Sequence, residues 1–126
     1  MLLRSPALDE RAGAPIWLKL ENLQVTGSFK ARGAFNALLT MDAAQRKRGV
    51  VAYSTGNHGQ AVAWASRCLG VPATIVMPVD APENKVDKAL RHGAKVVRYD
   101  RLRESREEIG MRLMAERGAS LLPPGD

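Results

Sequence analysis

The chain has 126 residues, 45% apolar and 25% charged, with a formal charge of +6. It is long enough for a domain with a real core, and no apolar run approaches the roughly 20 residues of a membrane span. The N-terminus lacks the apolar core of a secretion signal, so the expected location is the cytoplasm, and the single Cys68 excludes an internal disulfide.

Taken in chain order, Ile16–Leu20 reads as a strand, and residues 28–40 as a helix with Phe29, Ala34, Ala37 and Leu38 as a partial apolar stripe. A basic second helix ends at Gly49. Val50–Ser54 has the continuous apolar character of a buried parallel strand. Residues 57–69 form a small-residue helix stopped by Gly70 and Pro72, in which Cys68 is expected to pack as a small apolar residue. Strand 73–77, helix 83–92, strand 96–99 and helix 102–117 follow, the last helix turning Ile109, Leu113 and Met114 inward. Ser120–Leu122 starts a final strand, broken by Pro123, Pro124 and Gly125.

From residue 50 onward, strand and helix alternate, which argues for a parallel sheet with helices on its faces. Residues 1–48 carry one strand and about two helices, too little for a core of their own, and are expected to be loosely held. Apart from Arg46-Lys47-Arg48 the positive charge is spread along the chain, and no nucleic-acid motif accompanies it, so neither nucleic acid nor membrane is an expected partner. No metal site is expected either.

Two runs carry chemistry. In the first, Lys30 stands in Ser28-Phe29-Lys30-Ala31-Arg32-Gly33-Ala34, in the first turn of a helix. A lysine beside small residues suits a Schiff base with an aldehyde cofactor, although most lysines are simply solvated. The second is Ser54-Thr55-Gly56-Asn57-His58-Gly59-Gln60, between a strand and a helix. Free N–H groups and the helix dipole favour an anion there. The alternative is an ordinary helix cap with His58 on the surface.

Together the two runs resemble the fold-type II pyridoxal-phosphate enzymes, in the branch of threonine and serine dehydratases and serine racemase. The resemblance extends to Leu18-Lys19-Leu20-Glu21-Asn22, Gly70-Val71-Pro72-Ala73, Met77-Pro78, Ala81-Pro82 and Gly93-Ala94, nearly the whole chain. It implies a parallel three-layer α/β/α small domain of the tryptophan synthase β-like fold over 50–126, and part of a large domain over 1–49. The cofactor would be pyridoxal 5'-phosphate, on Lys30, with Phe29 packed nearby and Asn57 bonded to the pyridine oxygen. Ser54, Thr55, Asn57 and His58 would hold the substrate carboxylate. Arg106 would approach it, or else form a salt bridge on an exposed helix.

The implied reaction is α,β-elimination on a small hydroxy amino acid such as threonine or serine. Racemisation is the lesser reading, because serine racemase has serine where Thr55 stands. Dehydratases of hydroxyectoine breakdown are also similar. The Gly-rich phosphate loop and the C-terminal remainder of the large domain are missing from the pattern, so the chain alone is expected to be inactive. A non-catalytic module and an anion-binding α/β domain remain alternatives, and so do a homodimer and association with the missing part.

Overall fold

The computed structural model describes residues 1–124. The chain opens with β1 (Leu2–Arg4), α1 (Pro6–Ala12) and β2 (Trp17–Lys19), followed by single helical turns at Glu21–Leu23 and Val25–Gly27. β1 and β2 pair antiparallel, a hairpin not legible in the sequence, since β1 has no alternating apolar pattern. Both faces of the hairpin are largely exposed.

Next come α2 (Lys30–Thr40) and α3 (Ala43–Arg48). The buried stripe of α2 is Ala31, Ala34 and Leu38, at the spacing of a helix with one apolar face. Phe29, expected in that stripe, is 60% exposed, because it occupies the cap position before the helix and not a place on its buried face. A reciprocal capping box starts α3: the Asp42 carboxylate accepts from the Gln45 N–H at 2.7 Å, and the Gln45 side chain accepts from the Asp42 N–H at 2.9 Å.

The repeat then runs β3 (Val50–Tyr53), α4 (Asn57–Leu69), β4 (Ala73–Pro78), α5 (Glu83–Arg91), β5 (Lys95–Tyr99), α6 (Arg106–Arg117) and β6 (Ser120–Leu121). The four strands form one parallel sheet in the order β5-β4-β3-β6. Gly49 lets the chain enter this sheet. Its φ is +89°, and a Cβ there would stand 2.5 Å from the Pro72 carbonyl oxygen, to which the Val50 N–H donates at 2.9 Å.

The sheet is covered on both faces. On one side Ala61, Val62 and Ala65 of α4 and Val86 and Ala89 of α5 meet Val50, Ala52, Ile75 and Met77. On the other, Ile109 and Leu113 of α6 pack on Val51, Val76 and Tyr99. Leu38 and Ala34 belong to the first of these clusters, and Leu38 is fully buried. The expectation that 1–48 as a whole are loosely held therefore fails for α2, whose apolar stripe is long enough to dock on α4.

Three local readings are corrected. Helix 102–117 begins at Arg106, because the Ser105 hydroxyl caps it by accepting from the Glu108 N–H, while 101–103 form a turn. Cys68 is exposed, because the buried positions of α4 are 58–63, 65 and 66, and its last turn, with Cys68, lies beyond them. Met114 is only half-buried. Gly125, part of the expected C-terminal break, lies outside the described residues. Among the described residues no helix is long and apolar enough to cross a membrane.

Candidate functional site

Parallel α/β sheets bind ligands beyond the carboxyl ends of their strands. At that end of β3 the chain turns through Ser54–Gly56 into α4. The Ser54 hydroxyl accepts from the Gly56 N–H at 3.1 Å and closes the turn. Gly56, at the cap position, brings no side chain, so the first N–H groups of α4 are left to a ligand or solvent. Gly59 makes the turn tight: a Cβ there would stand 2.4 Å from the Ser54 carbonyl oxygen.

Lys30 is the first residue of α2, and its own N–H donates weakly to the Ser28 hydroxyl at 3.4 Å. Its ammonium lies 5.1 Å from the centre of the Phe29 ring and donates to the Pro124 carbonyl. It opens into a cavity of about 450 Å³ whose wall includes Phe29, Arg32, Ala34, His58 and Leu122. Glu21 stands on the rim between two cations, Arg32 at 3.1 Å and Lys19 at 3.3 Å. The hydrogen bond from Arg32, ahead of the Lys19 contact, holds its carboxyl below the usual carboxylate range.

His58 is buried, not a surface residue, and its Nε2 is 2.8 Å from the Leu122 carbonyl oxygen. A carbonyl only accepts, so Nε2 carries the proton and Nδ1 is the bare nitrogen. Burial is the main cause that pushes this imidazole below its ordinary value. The Leu122 bond opposes that and the charge of Lys30 adds to it. His58 is thus a neutral group facing the same cavity as Lys30.

A second, smaller cavity of about 100 Å³ lies beside the turn and includes Tyr53, Ser54, Thr55, Tyr99, Arg101 and Arg106. The Arg106 guanidinium is 5.1 Å from the centre of the Tyr53 ring, and its Nε donates to Glu107 at 2.8 Å. That bond raises the Arg106 pKa further above its already high value and lowers that of Glu107. The Arg101 Nε donates to Asp80 at 3.1 Å. Both guanidiniums keep their terminal nitrogens for a further acceptor.

The structure thus brings Lys30, Phe29 and His58 to one cavity, and Ser54, Thr55 and Arg106 to another. Asn57 is exposed at the tip of α4 and lines neither. Arg106 forms the exposed ion pair expected as one alternative, and it also lines the small cavity beside the turn. Arg101 escaped the sequence reading, since nothing in Asp100-Arg101-Leu102-Arg103 marks which arginine turns toward the strand ends.

Pyridoxal phosphate requires an amine for its aldehyde and room for a ring. The Lys30 amine and the cavity beside it fit those requirements.

The whole chain, residues 1–126, matches the family model "Pyridoxal-phosphate dependent enzyme". It is 57% identical, over 97% of its length, to an L-threo-3-hydroxyaspartate ammonia-lyase of Pseudomonas, of which it covers 38%. To the protein of the same name from Saccharomyces cerevisiae it is 50% identical, covering 99% of this chain and 38% of that one. The crystal structure of serine racemase from Dictyostelium discoideum superposes with a TM-score of 0.94 at 39% identity, over 99% of this chain and 41% of that one. The chain therefore spans about two fifths of the length of these relatives.

Proposed function

The chain belongs to the pyridoxal-phosphate dependent enzyme family, and from that premise we propose that it carries the lysine and carboxylate-binding half of an ammonia-lyase acting on a small 3-hydroxy amino acid. The observation that carries this reading is Lys30 in a ring-sized cavity beside neutral His58, next to a helix start with unengaged N–H groups.

Pyridoxal phosphate, when bound, draws electrons from the substrate α-carbon and so acidifies its proton. The Lys30 amine would hold the aldehyde and, once released, would take that proton. Ser54, Thr55 and the first N–H groups of α4 would fix the substrate carboxylate, and Asn57, exposed at the tip of α4, would reach the cofactor only from outside the two cavities. His58, kept neutral by burial, shapes the wall without adding a charge that would compete for the carboxylate. In the balanced reaction the α-proton and β-hydroxyl leave as water. Water then returns on hydrolysis, giving a 2-oxo acid and ammonia.

Of the candidate substrates, a hydroxy dicarboxylate has specific support. Arg101 and Arg106 border the small cavity beside Ser54 and Thr55, which suits a second carboxylate. The names of the two relatives point the same way. Threonine and serine need no such cationic pair.

Because the relatives are more than twice as long, we expect the 126-residue chain alone to release no measurable ammonia. The decisive experiment is a titration of this chain with pyridoxal phosphate, read by visible absorbance after free cofactor is removed. The reading requires an absorbance band that disappears in Lys30→Ala. A band that survives the substitution removes Lys30 from its role.

A further inference from the structure

The opposite end of the sheet, where the strands begin, carries features that the proposed reaction does not use. Two adjoining hollows of about 280 and 260 Å³ share Pro72, Ala73 and Gly93. Arg67, His92 and Ser66 line the first, and Lys95, Arg117 and Thr74 the second, with no carboxylate in either. Cations scattered along the sequence thus converge in space.

Among the described residues, eight ion pairs join cations to acids elsewhere, and none includes Arg67, Lys95 or Arg117. Each arginine is anchored by a single neutral contact. The Arg67 Nη1 donates to the Arg91 carbonyl at 2.9 Å, and the Arg117 Nη1 to the Thr74 hydroxyl at 2.9 Å. The rest of each fork is open to an acceptor.

Part of this charge answers the carboxyl ends of α4 and α6, where cations are favoured. That does not account for Lys95, which starts a strand, nor for two orphaned groups. The Ser66 hydroxyl is buried in a residue only 1% exposed and has no hydrogen-bond partner, and the buried His92 Nδ1 has none either. Buried polar atoms are nearly always satisfied, so an unpaired pair lining one hollow marks a place for a polar partner, a ligand or ordered water.

We propose that these two hollows form a second anion site, which takes a small polyanion of the diphosphate class, on the sheet end remote from Lys30. Two linked anionic groups match two hollows joined along Pro72, Ala73 and Gly93. A single monoanion would leave one set of cations unused. Ser66 and Thr74 add hydroxyls to the cationic forks, as phosphate oxygens require.

The test uses the full 126-residue chain, inorganic pyrophosphate as probe, and backbone NMR shifts together with calorimetry. The expected shifts fall on Ser66, Thr74, Gly93 and Lys95, and the affinity drops by about tenfold or more in Lys95→Met/Arg117→Met, equal to about 1.4 kcal/mol or more. Both side chains are exposed, and single Lys95→Met, checked by urea unfolding, serves should the double variant lose its fold. Lys30→Ala should leave pyrophosphate affinity unchanged. Shifts confined to residues 54–58, wild-type affinity in the double variant, or an oligonucleotide that binds there and is not displaced by pyrophosphate would each overturn the proposal.

Discussion

His58 at the start of α4 and Leu122 just beyond β6, 64 residues apart in the chain, are joined by a 2.8 Å hydrogen bond between imidazole and backbone. The bond ties the turn that follows β3 to the segment that leaves the sheet, and both border the Lys30 cavity. It works only with a neutral imidazole whose proton is on Nε2 or with a charged one, and burial selects the neutral form.

This gives a pH dependence with a defined sign. The folded pKa of His58 lies below its unfolded value, so its stabilising contribution is fully present above about 6.5 and is lost as pH falls through the folded value. His92 shifts the same way, mainly through burial and then through the charge of Arg67. Urea unfolding should therefore give lower stability at pH 5.5 than at pH 7.5, and His58→Asn should flatten part of that slope. An NMR titration midpoint for His58 at or above the free-histidine value would contradict it.

Leu38→Ala should cost about 2–5 kcal/mol, because the side chain is fully buried between α2 and the sheet-covering helices. Hydrogen exchange provides the companion measurement. Amides of α2 should be protected and those of the β1–β2 hairpin should exchange quickly. Equal protection in the two regions would mean that the hairpin is held by more than its two strands.

Gly59→Ala places a methyl group 2.4 Å from a backbone carbonyl, which cannot swing aside as a side chain can. The expected loss is about 1–3 kcal/mol, the range of overpacked cores, with amide shifts centred on Ser54–Gly56. A variant as stable as the parent would show that the turn has slack the geometry denies.

The second-carboxylate reading can be checked by ligand titration of the cofactor-treated chain. L-threo-3-hydroxyaspartate should move the resonances of Tyr53 and Tyr99, which border the small cavity, more than serine does. Arg101→Met should reduce that difference. Equal responses to both ligands would leave the arginines with only their ion pairs to Asp80 and Glu107.

Much of this was legible in the residues. The α/β alternation after residue 50 is written in short apolar runs separated by Gly and Pro, and α4 falls on 57–69 as expected. The β1–β2 hairpin was not, because a three-residue strand has too little length for a period to register. The misplacement of Phe29 has a different origin: periodicity says which residues share a face, but not where the first turn starts, and a two-residue change in start, from 28 to 30, moves Phe29 off the helix. The burial of His58 and the placement of Arg101 at the edge of the small cavity depend on partners 64 and 21 residues away, which no local window contains.

The contact between Lys30 and the Pro124 carbonyl spans 94 residues. During synthesis at about 5–20 residues per second, roughly 5–20 s pass between the emergence of the lysine and that of the segment that closes over it. Throughout that interval the amine stands on a growing chain without the back wall that Leu122 and Pro124 supply. Lys30 therefore acquires this part of its surroundings only after a segment 94 residues further along has been made and folded back onto it.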